Sequence, residues 1–301
     1  MPEGPEITIT TQYLKTKLKK KKIDSVEVIG GRYLHQTLKG LHLTENTPLT
    51  IEDIDSKGKF MWMILKDSVG NSVYMLNTFG MSGRWSFTDS PNARVKMTIK
   101  SNTTQNKTYT LYYIDQRNFG TIEFTSDQKD LQKKIDRLAP DALKTDMSDD
   151  DLVRMIKEFI KTSKKDKNLV KVLMDQDAIV SGIGNYLVAE ILYDAKLNPH
   201  RSLTALSDKE IKGLAHSIRK IMKYSYYDNT TGYMEHFKTF MKTHSQRIDD
   251  GKFPNYHSDI KPKIGFTFRV YQQKQDPDGN EVVQDEIVKD RTIHWVKEVQ
   301  K

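Results

Sequence analysis

The chain changes texture once, near Pro140, and that change limits how it can fold. Between about residues 23 and 124 there are short runs rich in β-branched and aromatic residues, at 23–29, 60–65, 72–76, 95–100, 108–114 and 121–124. Turn formers such as Gly70-Asn71 and Ser101-Asn102 separate several of them, which predicts short antiparallel strands in a sandwich or barrel. Ahead of them, Pro5 at a first helical position, Glu6 in the first turn and Ile7, Leu14 and Leu18 on one face predict a helix running into the basic stretch 19–22. Past Pro140 the periodicity is helical, and Ser148 with Asp151 and Ser207 with Glu210 have capping-box spacing. From about Ile264 strand character returns: Phe266 to Tyr271 leads to a Pro277-Asp278-Gly279 turn and a run ending at Trp295-Val296, which predicts a closing β-hairpin. The expected class is α+β, with an N-terminal antiparallel β-sandwich and flanking helix over 1–140, a helical domain over 141–263 and a hairpin over 264–301.

A chain of 301 residues can bury two separate cores. Its 48 Lys+Arg outnumber 40 Asp+Glu, giving a formal charge of +8 that favours a polyanionic partner, nucleic acid first. The absence of cysteine removes disulfides, thiolate zinc sites and cysteine nucleophiles together. No basic stretch followed by an apolar run opens the chain, and no segment approaches the roughly 18 apolar residues of a membrane span. A protein that is intracellular, neither secreted nor membrane-bound, is expected.

Two places carry recognisable chemistry. Proline after Met1 permits removal of the methionine, which would leave Pro2 a secondary amine at the start of a helix. The helix terminus disfavours its protonation, and the carboxyls of Glu3 and Glu6 could move protons beside it. The second place is Ser181-Gly182-Ile183-Gly184-Asn185, too glycine-rich for a helix interior and suited to presenting backbone N–H groups to a phosphate.

The opening Pro2-Glu3-Gly4-Pro5-Glu6 resembles the N-terminus of the formamidopyrimidine-DNA glycosylase and endonuclease VIII family, and four further matches follow in family order. Lys57-Gly58-Lys59-Phe60 looks like the family's lysine loop, which casts Lys59 as a catalytic-site contact to the lesion-side phosphate. Phe79-Gly80-Met81-Ser82-Gly83-Arg84 and Asp115-Gln116-Arg117-Asn118-Phe119-Gly120 resemble two loops whose Met81, Arg117 and Phe119 would fill the hole left by an everted nucleotide. Eversion needs such groups, because an apolar wedge offsets lost stacking and an arginine can meet the orphaned base. Leu173 to Leu192, through the glycine turn, is similar to the family's helix-two-turns-helix element, with Asn185 as a phosphate ligand.

The C-terminal segment departs from that pattern. Family zinc fingers end with an arginine followed by a Cys-x-x-Cys pair and a glutamine, and here Arg291, Val296, Val299 and Gln300 keep the frame without the cysteines. The resemblance implies a zincless finger whose Arg291 grips phosphates, and it leans toward the endonuclease VIII-like branch. Thr78 stands where many members carry histidine.

The implied activity is a glycosylase and abasic-site lyase acting on damaged DNA as a monomer, without metal or organic cofactor. Pro2 would attack the sugar, Glu3 would protonate its ring oxygen and Glu6 would support the site. Oxidised pyrimidines and hydantoins are favoured by resemblance, and the polar stretch 245–263 would set selectivity. A non-catalytic damaged-DNA or junction binder of the same fold is the alternative. A general nucleic-acid module built on the helix-two-turns-helix would leave Pro2-Glu3 and the wedge loops without a role.

Overall fold

A computed structural model describes residues 2–45, 48–101, 107–253 and 265–301. The chain divides into two compact units, one of Pro2 with Glu6–Arg137 and one of Glu3–Pro5 with Leu138–Lys301.

Helix α1 (Gly4–Leu18), which belongs to the first unit from Glu6 onward, begins one residue before Pro5, so the proline occupies the second helical position. Ile7, Leu14 and Leu18 are buried as the spacing predicts. Thr11 returns its hydroxyl proton to the carbonyl of Ile7 at 2.7 Å, which satisfies a buried polar group inside the helix. Eight strands follow: β1 (Lys22–Val28), β2 (Leu49–Lys57), β3 (Phe60–Lys66), β4 (Ser72–Thr78), β5 (Arg84–Ser86), β6 (Ala93–Lys100), β7 (Thr108–Ile114) and β8 (Thr121–Thr125), then helix α2 (Gln128–Arg137). They form one antiparallel ladder in the order β5-β7-β6-β1-β2-β3-β4-β8.

The ladder curls so that its two ends meet. The indole N–H of Trp85 on β5 donates to Asn77 Oδ1 on β4 at 3.0 Å, and the Tyr113 hydroxyl on β7 donates to the Thr78 carbonyl at 3.1 Å. Between the two ends lies one core that includes Ile54, Met63, Trp85, Met97, Leu111 and Phe124, where truncation of one aliphatic side chain costs about 2–5 kcal/mol. Strand β2 escaped the sequence pattern because Glu52, Asp53 and Asp55 interrupt it with weak strand formers. Asp53 is paired with Lys15 and Lys19 of the α1 end, and Glu52 with Lys20.

In the second unit, helices α3 (Asp149–Thr162) and α6 (Asp208–Tyr227) both start in complete capping boxes, at Ser148/Asp151 and Ser207/Glu210. Between them, α4 (Leu169–Met174) and α5 (Asn185–Asp194) flank the glycine turn. Helix α5 is buried on all sides from Tyr186 to Tyr193, as expected of the centre of a helical core. Short helices α7 (Lys238–Met241) and α8 (His244–Asp249) follow α6.

The closing hairpin is displaced from its expected place. It consists of β9 (Val283–Val288) and β10 (Arg291–Trp295), and Asp290 takes a positive φ of 61° at the reversal. Phe266 to Tyr271 is not a strand. Its aromatic rings pack on Tyr186, so apolar burial and not a β-ladder accounts for the run. The Pro277-Asp278-Gly279 turn closes a smaller loop in which Asp276 accepts the N–H groups of Asp278 and Asn280 and the hydroxyl of Tyr193.

The hairpin is tied to its own unit without thiolates. Trp295 donates its indole N–H to Asp285 at 2.7 Å, and Val296 is fully buried. Gln300 accepts the Val296 N–H at 2.8 Å and donates to the Leu197 carbonyl at 2.9 Å. With valines at 296 and 299 and no cysteine in the chain, this segment does not fit a thiolate-bound zinc ion.

Candidate active site

The first N–H groups of a helix have no partner within it, and α5 begins at Gly184, which has no side chain to cap them. The cap comes from Glu3. Its carboxylate accepts the N–H of Gly184 at 2.6 Å, of Tyr186 at 2.9 Å and of Leu187 at 3.3 Å, and the residue is 1 % exposed. The expectation that this turn cradles a phosphate is therefore corrected: the anion at the α5 N-terminus is the chain's own carboxylate. A helix dipole and converging N–H groups favour any anion, and Glu3 is held there.

Two glycines make the approach possible. A Cβ on Gly184 would lie 2.5 Å from Glu3 Cδ, and one on Gly4 would lie 2.9 Å from Gly182 Cα, where the Gly4 N–H donates to the Gly182 carbonyl. Gln176 shapes the turn from inside, accepting the Gly182 N–H at 2.8 Å and donating to the carbonyls of Met174 and Ile183. The Met174-Asp175-Gln176 part of the sequence pattern thus has a structural reason.

Asn185, next in the turn, donates its side-chain amide to the Thr292 carbonyl at 3.0 Å, which links it to the strand that begins with Arg291. The side chains of Asn185 and Tyr233 both act on the Tyr271 phenol, each lowering its pKa. Burial pushes the Tyr271 phenol up, the Glu3 carboxylate adds to that, and Arg291 opposes it, so Tyr271 feels both charges. Buried Glu190 fixes this tyrosine. Its Oε1 accepts the N–H groups of Arg269, Val270 and Tyr271, each at 3.0 Å, while burial pushes its carboxyl up.

The first unit carries the other expected site residues. Lys59 is half-buried in the two-residue turn that joins Lys57 and Phe60, where Gly58 has a φ of 56°. Glu6 is buried and Pro2 half-buried. Met81 and Phe119 are 37 % and 56 % exposed, and the Arg117 guanidinium lies 5.1 Å from the Phe119 ring centre. Large apolar side chains held open to solvent on tight loops are unusual for core residues. Thr78, at the family's histidine place, is bonded to the Thr121 hydroxyl across the ladder at 2.7 Å.

Glu3, Asn185 and Arg291 thus belong to one unit, and Pro2, Glu6, Lys59, Met81, Arg117 and Phe119 to the other. The sequence pattern missed Tyr271 and Glu190. Tyr271 lies in an apolar run whose composition predicts a strand. Glu190 had a visible signal, a lone acid in the apolar stretch Ala189 to Leu192.

Three family profiles match the chain: the formamidopyrimidine-DNA glycosylase N-terminal domain over residues 1–122, its H2TH domain over 138–234 and its C-terminal domain over 258–301. Formamidopyrimidine-DNA glycosylase from Listeria monocytogenes serotype 4b is 30% identical over 223 residues, covering 74% of this chain and 77% of that protein. The enzyme of the same name from a Nocardioides species is 26% identical over 229 residues, covering 74% and 73%. Among solved structures, the MutM (Fpg) protein of Thermus thermophilus superposes with a TM-score of 0.73 at 21% identity, covering 99% of this chain and 98% of that one. A MutM complex with DNA containing carbocyclic 8-oxo-G gives the same TM-score and identity and covers both chains fully. The chain belongs to the formamidopyrimidine-DNA glycosylase family, DNA glycosylases that act on damaged DNA.

Proposed function

We propose that this glycosylase is bifunctional, removing oxidised bases through a Schiff base on Pro2 and then cutting the abasic strand. The observation that carries this reading is the Glu3 carboxylate, fixed by three backbone N–H groups one residue after Pro2. A carboxyl held against rotation beside an amine is a pair suited to proton transfer during attack.

The neutral Pro2 nitrogen attacks C1′ of the everted nucleotide. Glu3 protonates the ring oxygen, the sugar opens, and the bond from C1′ to the base breaks as the base departs. The resulting iminium acidifies the C2′ proton. Loss of that proton expels the 3′ phosphate, and a second elimination expels the 5′ phosphate. No metal or organic cofactor is needed by these steps. Lys59, Asn185 and Arg291 hold the strand's phosphates, Glu6 supports the α1 start, and Met81, Arg117 and Phe119 fill the void. The Tyr271 hydroxyl, on which Asn185 and the charge of Arg291 both act, joins the phosphate grip. In this reading 1–140 carries the chemistry and wedge, 141–263 the helix-two-turns-helix, and 264–301 the zincless finger, in a protein that acts as a monomer wherever DNA is kept.

Oxidised pyrimidines and hydantoins remain the proposed substrates. The endonuclease VIII-like placement rests on the zincless hairpin alone, since the relatives named above carry the formamidopyrimidine name. Of the selectivity stretch 245–263, residues 254–263 lie outside the described residues, as does Met1.

Borohydride reduction with abasic-site DNA tests the chemistry, on protein whose loss of Met1 has been verified by intact mass. A covalent adduct is expected from the unaltered chain and none from Pro2→Thr, which should still bind the duplex. No adduct from the unaltered chain would leave the non-catalytic binder.

A further inference from the structure

Asp115 is 1 % exposed and touches both wedge loops. Its Oδ1 accepts the Ser82 hydroxyl at 2.5 Å and the Arg117 N–H at 3.3 Å, and its Oδ2 accepts the Gly120 N–H at 2.7 Å. The Ser82 oxygen in turn accepts the Arg117 N–H at 3.0 Å. One carboxylate therefore closes the loop that carries Arg117 and Phe119 and also binds the loop that carries Met81.

The backbones of the two loops are also in contact. A Cβ on Gly80 would lie 2.6 Å from the Gly120 nitrogen and 2.6 Å from the Phe119 carbonyl carbon, and one on Gly120 would lie 1.8 Å from the Tyr113 hydroxyl. From the other side Arg32 donates to the Gly120 carbonyl at 2.5 Å, and Arg94 donates to the Asp115 carbonyl at 2.9 Å. The side chains above this base point outward, and those below it are fixed.

We infer that Asp115 is a positioning residue that couples the Met81 loop to the Arg117-Phe119 loop through Ser82, so that the three void-filling side chains enter the duplex as one unit. Separate loops would each lose conformational freedom on insertion, whereas a prejoined pair has lost most of it on folding. The coupling rests on the proposed eversion chemistry for its purpose but not for its test.

The test uses duplex DNA with a tetrahydrofuran abasic analogue beside 2-aminopurine, whose fluorescence rises when its neighbour is unstacked. Asp115→Asn and Ser82→Ala should each reduce the fluorescence rise at saturation by more than half. Affinity for the same strand without its complement, where there is no void to fill, should stay within twofold. The double variant should be no worse than Asp115→Asn alone, because both changes break one link. Ser82→Ala removes a single hydroxyl from a loop, so it decides the matter if Asp115→Asn fails to fold. An unchanged rise in both variants, with Phe119→Ala abolishing it, would overturn the coupling. An equal loss on single-stranded and duplex DNA would overturn it too, since that marks general damage to the fold. The chemical reading fails separately, by absence of a borohydride adduct from the unaltered chain.

Discussion

Two glycine-rich corners of this molecule look alike in sequence and do opposite things. At Gly182 to Gly184 the missing side chains admit a carboxylate from 181 residues away, and the N–H groups of both glycines are satisfied inside the protein. At Gly80 and Gly120 they let two loops touch, and what emerges is exposed Met81, Arg117 and Phe119. A glycine marks close approach in both cases, but the approaching group differs: an internal anion in one, another backbone in the other. One corner holds a carboxylate fixed inside the protein and the other holds three side chains out to solvent.

The sharpest way to break that contrast is to disturb the first corner alone. Glu3→Gln should lower single-turnover excision by at least about 10²-fold, the scale of a positioned acid, while binding to abasic-analogue DNA persists. Gly184→Ala should act in the same direction by pushing the carboxylate out of its seat, and also cost about 1–3 kcal/mol of stability from overpacking. Excision within threefold of the unaltered chain for both variants would mean the cradle is structural only.

A buried polar group without such a cradle behaves differently. His244 is fully buried among Tyr226, Phe240 and Phe253, its Nε2 bonds the Tyr226 carbonyl, and its Nδ1 has no partner among the described residues. Burial lowers its pKa from 6.5 to about 4. The folded state thus resists a proton that the unfolded state accepts, so this stability is complete above pH 6.5 and declines as pH falls toward 4. The loss should reach about 3 kcal/mol in denaturant titrations, and His244→Phe should flatten it. An equal decline in both proteins would assign the pH dependence to other groups.

The second corner predicts smaller effects. Phe119→Ala should leave unfolding within about 0.5 kcal/mol, as for an exposed side chain, yet slow excision from duplex by roughly tenfold. Stability loss of core magnitude would show that the ring is buried in solution. Smallest of all, Arg291→Ala should weaken DNA binding uniformly and reduce the salt slope by about one ion. An unchanged slope would remove Arg291 from the phosphate grip.

Much of the architecture was legible because it is written locally. Strand periodicity, the α1 face and both capping boxes depend on residues within a few positions of each other, so spacing suffices to find them. The hairpin was misplaced because Phe266 to Tyr271 has strand composition but serves as packing for Tyr186, and composition does not distinguish these uses. Strand β2 was overlooked because its acids are stabilised by lysines of another element.

By itself the sequence determined the α+β class, the change from strands to helices and the missing thiolates, and its family pattern singled out Pro2, Glu3, Met81, Arg117, Phe119 and Arg291 as the proposed site. Only the tertiary structure decided that Glu3 fills the glycine turn, that Glu190 holds Tyr271 and that Asp115 joins two loops. Each of these is a carboxylate accepting N–H groups from distant or irregular backbone. No periodicity encodes such a bond, because its partners become neighbours only when the chain has folded.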